Sequence, residues 1–109
     1  MTSIRQDRVR ELLREIAAKF FLREAGPRSL ITVTDATISP DLKRATIYIT
    51  TFPTSEEEQA LAFAKRKRSD LRAYLSTQAK LRFVPVLEIK LDQGERNRQK
   101  IDELSLKNN

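Results

Sequence analysis

The chain has 109 residues, which suits one compact domain. It contains no cysteine and no histidine, which excludes a disulfide framework, thiolate or imidazole catalysis, and metal sites built on Cys or His. Its net charge of +6, with a pI near 10.0, points to an anionic partner, of which nucleic acid is the commonest.

The charge is uneven. Residues 1–30 hold seven cations against four anions, and residues 55–83 hold the same numbers. Residues 31–54 and 84–109 are each neutral. The basic surface is therefore expected on the helices. No apolar run approaches the ~18 residues of a membrane span. Met1-Thr2-Ser3-Ile4 leads at once into charged residues, unlike a signal peptide. No membrane association and a reducing, cytoplasmic setting are the expectation.

Ser3 and Gln6 fit a capping box at the start of a first helix. Val9, Leu12, Leu13, Ile16, Ala17, Phe20 and Phe21 follow a 3.6-residue period and predict an amphipathic helix over about 4–24. Gly26-Pro27 ends it. On its polar face Glu15 and Lys19 are spaced for an i,i+4 pair. The acidic stripe of Asp7, Glu11 and Glu15 makes this face a poor phosphate surface. Arg5 and Arg8, near its start, are better placed.

Residues 30–38 are rich in β-branched side chains and predict a strand. Ser39-Pro40-Asp41-Leu42 is turn chemistry. Residues 44–52 alternate, with Ala45, Ile47 and Ile49 facing one way and Thr46, Tyr48 and Thr50 the other. The two strands should form an antiparallel hairpin with one face packed and one wet. Tyr48 on the wet face could stack on a base. Phe20, Phe21, Phe63 and Phe83 read as core.

Ser55 and Glu58 fit a second capping box, after Pro53. The helix that follows should run to about Arg68, and a next one from about Asp70 to Lys80. Between them lies Lys65-Arg66-Lys67-Arg68-Ser69-Asp70: four cations, then two N-cap formers. We expect a break within Arg66–Asp70 with Ser69 capping the second helix. Cations beside a helix N-terminus suit a phosphate. Equally, cations in a last turn complement the helix dipole or simply solvate a face. Pro85 makes Arg82-Phe83-Val84 extended. Val86 to Leu91 alternates as a third strand, with Leu87, Ile89 and Leu91 on one face. Residues 1–93 form the domain, and 94–109 a short charged tail in which Ile101 and Leu104 suggest a weakly docked helix at most.

The order is helix, strand, strand, helix, helix, strand: an α+β domain with helices on one face of a three-stranded sheet. The carboxylates Glu56, Glu57, Glu58, Asp92 and Glu95 form no set beyond what any polar surface offers. Ser69-Asp70 lacks a histidine base, and no Gly-rich phosphate loop is present. Neither enzyme nor cofactor is expected.

Arg8-Val9 with Glu15-Ile16, Asp41-Leu42 leading into Ala45-Thr46-Ile47-Tyr48-Ile49-Thr50, and Leu81-Arg82-Phe83-Val84-Pro85-Val86-Leu87 together resemble the bacterial ribosome-binding factor A proteins. The likeness covers nearly the whole chain and rests on the order and spacing of these pieces. It implies a type-II KH-like domain of order α-β-β-α-kink-α-β. It also implies a non-enzymatic factor that binds the free small (30S) ribosomal subunit near its neck and the 3′ end of 16S rRNA, assists rRNA processing, and leaves before translation. The family's kink usually reads Ala-x-Gly. Here Lys67-Arg68-Ser69 stands in its place, which puts the kink geometry in question.

The expectation is a monomer that contacts rRNA phosphates through Lys65, Arg66, Lys67, Arg68, Ser69 and Arg72, with Arg5, Arg8, Lys80 and Arg82 extending the surface. Two alternatives stay open: a general KH-like single-strand nucleic-acid binder, and an adaptor whose basic face meets an acidic protein. Sedimentation separates them. An assembly factor comigrates with free small subunits, a general binder prefers free strands, and an adaptor's complex survives nuclease.

Overall fold

A computed structural model describes residues 4–25, 30–81, 83–95, 97–98 and 101. The elements are α1 (Ile4–Ala25), β1 (Leu30–Ile38), β2 (Arg44–Phe52), a 3-10 turn (Thr54–Glu56), α2 (Glu57–Arg66), α3 (Arg68–Gln78) and β3 (Val86–Leu91). The order and the α+β class are as expected. Ser3, Gly26, Pro27, Arg82 and Leu104 lie outside the described residues.

The sheet order is β1-β2-β3. β1 and β2 pair antiparallel, Ile38 opposite Ala45 and Val33 opposite Ile49. β3 runs parallel to β2, Ala45 beside Leu87 and Ile47 beside Ile89. A parallel neighbour needs a crossover, and α2 with α3 supplies it. β1 carries one extra residue between Val33 and Asp35. A period of two would set Val33 and Ala36 on opposite faces. The bulge reverses the alternation, and both are buried.

One face of the sheet carries Val33, Ala36, Ala45, Ile47, Ile49, Leu87 and Ile89. Leu13, Ile16, Ala17, Phe20 and Phe21 of α1, Ala64 of α2, and Leu71 and Leu75 of α3 complete the core. The α1 face is therefore the one its periodicity predicts. The other sheet face is wet, with one correction. Thr50 was expected there, yet it and Thr51 are both 2% exposed. The 3-10 turn packs back on β2, so neither face of that strand end stays open.

Three local expectations are revised. The Ser55–Glu58 box does not form. The N–H of Glu56 donates to the Pro53 carbonyl at 3.0 Å, which tightens the first turn to 3-10 and leaves Ser55 inside it rather than at its cap. On α1 Glu11 pairs with Arg14, whose guanidinium forks onto the carboxylate one turn back, and Arg23 with Glu24, in place of the expected Glu15–Lys19 pair. A helical turn does follow β3, and Ile101, expected to help dock it, is 63% exposed.

That turn has a cap the sequence reading missed. Asp92 Oδ1 accepts the N–H of Glu95 at 3.1 Å, and Oδ2 accepts the Thr34 hydroxyl at 2.6 Å. The Thr34 hydroxyl, with the Glu95 and Gly94 amides, holds the Asp92 carboxyl below its ordinary range. The residue that makes the β1 bulge is thus the one that anchors the chain leaving β3.

Candidate nucleic-acid interface

The helix break falls at Lys67, inside the expected window but two residues before Ser69. Lys67 sits at φ −88°, ψ 3°, the bridge region open to any residue. Its N–H is shared between the carbonyls of Phe63 (3.1 Å) and Ala64 (3.2 Å), and its own carbonyl accepts from Leu71 at 2.9 Å. The backbone ladder thus runs nearly unbroken through the kink. Ser69 is not a cap. It lies exposed in the first turn of α3, and no side chain caps that helix. The carbonyls of the preceding turn take the Lys67 amide, so the amide seat for a phosphate is narrower by that one donor than an isolated helix start would offer.

The four consecutive cations diverge. Lys65 and Arg68 are exposed and border a wide, open depression of about 810 Å³. It reaches across β3 to Tyr48 and Lys90, and Tyr48 is half-buried on the wet sheet face as expected. Asp35, Glu88 and Asp92 line it too, so its lining as a whole is balanced in charge, while its floor is net negative and Lys65 and Arg68 sit on its helical rim. Lys67 turns back. Its ammonium stands 5.8 Å from the centroid of the Phe63 ring and 3.8 Å from Asp70 Oδ2. Arg66 is exposed in the last turn of α2.

Arg72 has a structural engagement. Its Nε–H donates to the Pro85 carbonyl at 3.1 Å, and its Nη2 donates to the Val84 carbonyl at 3.0 Å. It thereby fixes the extended connection into β3. Arg8 is exposed on α1. Arg5 and Lys80 lie elsewhere, in a second cleft of about 370 Å³. The start of α1, the β1–β2 turn and the α3–β3 connection form its walls. Lys43, which the sequence reading passed over, joins them there. So does Phe83, which was expected in the core and is 67% exposed. Pro85 is buried instead, and the bend it imposes turns Phe83 outward.

The β1–β2 turn is built from local polar bonds. Asp41 Oδ1 accepts the Ser39 hydroxyl (2.6 Å) and the Lys43 N–H (3.0 Å). Those bonds, the hydroxyl's first, lower the Asp41 carboxyl below its ordinary range. Ser39 Oγ accepts the Arg44 N–H at 3.0 Å. Leu42 takes φ 63°, the left-handed region. The carbonyl of Lys43 accepts the Val86 N–H at 2.8 Å, which ties the turn to the first residue of β3. Among the described residues no group of three or more acidic side chains could hold a metal ion, and no helix is long and apolar enough to cross a membrane.

The model of the ribosome-binding factor A family matches residues 5–105. The chain belongs to that family. A ribosome-binding factor A from a Methylobacterium species is 34% identical over 107 residues, covering 94% of this chain and 77% of the relative. The crystal structure of the Thermus thermophilus family member superposes with a TM-score of 0.71 at 28% identity, covering 79% of this chain and 94% of that one. A homology model of the Thermus thermophilus factor, fitted into a cryo-electron microscopy map of its complex with the 30S subunit, gives a TM-score of 0.67 at 27% identity. It covers 77% of this chain and 91% of that one. Both cations on the rim of the open depression, Lys65 and Arg68, lie within the matched span, as do Arg5, Lys43 and Lys80.

Proposed function

We propose that this protein binds the free small ribosomal subunit and assists maturation of its 16S rRNA, as a binding factor and not an enzyme. The observation that carries the reading is family membership over nearly the whole chain, joined to a relative's homology model fitted into the map of a 30S complex. We read the helix–kink–helix with its three strands as KH-like, and the exposed cations Lys65, Arg66 and Arg68 as its phosphate contacts. Phosphate binding of this kind fixes position and register without reading sequence. Lys67 contributes mainly to the fold, since its ammonium is held by Phe63 and Asp70. Ser69 can add a hydroxyl at the same rim. Arg8 lies on a different helix and would extend the surface only if the rRNA wraps toward α1.

A salt titration of binding to isolated small subunits tests this. Neutralised phosphates release counterions, and each single-strand contact adds about 0.7 to the slope of log K against log salt. Replacing Lys65, Arg66 and Arg68 together by Gln keeps helix propensity and should flatten the slope by roughly 2. Lys67→Gln alone should leave it close to wild type. Equal slopes for the wild type and the triple variant, with both proteins folded, would reduce the kink cations to a solvated face. Comigration with translating ribosomes in place of free small subunits would overturn the assembly role itself.

A further inference from the structure

The second cleft has features that the kink lacks. Its cations Arg5, Lys43 and Lys80 come from three segments far apart in sequence, yet they line one cavity of about 370 Å³. That volume lies within the range of ~300–1,000 Å³ common for small-ligand sites. The acidic residue in its wall, Asp41, has Oδ1 committed to the Ser39 hydroxyl and the Lys43 amide. The cleft therefore presents more positive than negative charge to an occupant. It also presents a flat apolar surface. Phe83 is 67% exposed, although Val9, Leu81 and Pro85 offer an apolar wall beside it. The connection that bears Phe83 is held on its C-terminal side. Arg72 grips the Val84 and Pro85 carbonyls, and Val86 is bonded to Lys43. The ring therefore stands next to an anchored stretch of backbone.

We propose that this cleft takes one unpaired nucleotide of single-stranded RNA, its base stacked on Phe83 and its flanking phosphates among Arg5, Lys43 and Lys80. The inference adds a second site to the reading that the partner is rRNA, and rests on that reading only for the identity of the strand. An exposed aromatic beside cations is the arrangement that holds unpaired bases without regard to sequence, since every base offers a π-face. An acidic peptide would use the cations but would leave the ring without a role.

The probe is a uridine RNA pentamer with 2-aminopurine at its centre, whose emission falls on stacking. The protein has no tryptophan to interfere. Titration with the intact chain should quench the emission. Phe83→Leu, which keeps apolar bulk, should abolish the quench and weaken binding roughly 5- to 150-fold. Phe83→Tyr should restore both. Lys43→Gln with Lys80→Gln should flatten the salt slope by about 1.4. The triple Gln variant at the kink should quench like wild type. Thermal melts confirm that each variant is folded. No quench by millimolar wild-type protein, or a quench unchanged in Phe83→Leu, overturns the proposal. So does an oligoglutamate peptide that binds wild type and Phe83→Leu alike while the RNA is not quenched. If the protein quenches the pentamer yet fails to sediment with small subunits, the ribosomal reading falls and the nucleotide site stands. If it sediments and Phe83→Leu quenches like wild type, the site alone falls.

Discussion

The kink between α2 and α3 and the turn between β1 and β2 divide the positive charge in opposite ways. At the kink four cations are adjacent in sequence, and the helix fans them apart: two to the rim of an open depression, one back onto Phe63 and Asp70, one outward. The turn lies in a segment of zero net charge, yet the cleft beneath it collects Arg5, Lys43 and Lys80. Linear charge density therefore misjudges local surface charge in both places. A helix spreads neighbours through 100° per residue, whereas tertiary packing can bring single cations together from anywhere. The regions also differ in what holds them. The kink sits on buried Ala64 and Leu71 with a nearly continuous backbone ladder. The turn rests on short polar bonds at the surface and one residue at positive φ.

The largest expected effect tests the support beneath the kink. Leu71 is fully buried one turn past Lys67. Leu71→Ala should cost roughly 2–5 kcal/mol in urea unfolding, the transfer loss plus the cavity left behind. A loss under ~0.5 kcal/mol would mean that the core does not hold the kink, and the contrast with the turn would disappear.

Arg72 links the two regions, since it stands on α3 and grips the connection that carries Phe83. Arg72→Gln should lower stability by about 1–2 kcal/mol through two lost hydrogen bonds to carbonyls. It should also weaken quenching of the RNA pentamer while leaving the salt slope on small subunits nearly unchanged. A flattened slope with an unchanged melt would instead make Arg72 a phosphate contact.

Much of the fold was legible in the sequence. All three strands begin and end where alternation and turn residues place them, because a half-buried strand must alternate and Ser39-Pro40-Asp41 cannot continue it. The bulge at Thr34 was not legible, since β1 is β-branched on both faces and hides a change of phase. The parallel pairing of β3 was not legible either, because parallel and antiparallel strands of this length look alike. Ser69-Asp70 suggested a cap two residues too late: the helix break is made by a single Lys in the bridge region, a conformation without a residue signature. Of the site, the rim cations Lys65 and Arg68 were legible as candidates. Lys43 was not, as nothing local sets it apart. A signal for it existed in the turn itself, which must expose the residue following Asp41-Leu42. Phe83 was misread because periodicity assigns no face in an irregular connection.

A smaller effect concerns the chain leaving the sheet. Asp92→Ala removes an N-cap and the partner of the Thr34 hydroxyl, and should cost about 1 kcal/mol. The Asp92 carboxyl is depressed in the folded state. Its contribution is therefore present above the unfolded carboxylate value near ~4 and is lost as pH falls below that value through the folded one. Melts of wild type and Asp92→Ala should differ at neutral pH and converge as acid protonates the folded carboxyl. A constant difference would show that the capping carboxylate's charge is not what stabilises the turn.

The smallest effect separates the kink from the turn by sign. The resemblance noted in the sequence implies glycine at the kink, and so suggests that Lys67-Arg68-Ser69 departs from a conformational need. The backbone argues otherwise. Lys67 has φ −88°, and Ser69 lies within α3, so neither residue uses the freedom that glycine provides. Lys67→Gly should therefore destabilise, by about 0.5–1 kcal/mol from unfolded-state entropy, plus the lost packing of the side chain on Phe63. Leu42 is the opposite case. At φ 63° a leucine carries a left-handed penalty of roughly 1–2 kcal/mol. Glycine removes that penalty, while its own entropy and the loss of a half-buried side chain offset part of the gain. Leu42→Gly should therefore be neutral or stabilising by up to about 1 kcal/mol. Urea unfolding of the two single variants and the double variant measures both terms, which should add because the positions lie in separate connections of the fold. If Lys67→Gly proves the stabilising change, the kink is strained in a way its dihedral angles do not reveal, and glycine in related chains answers a backbone need that this chain shares.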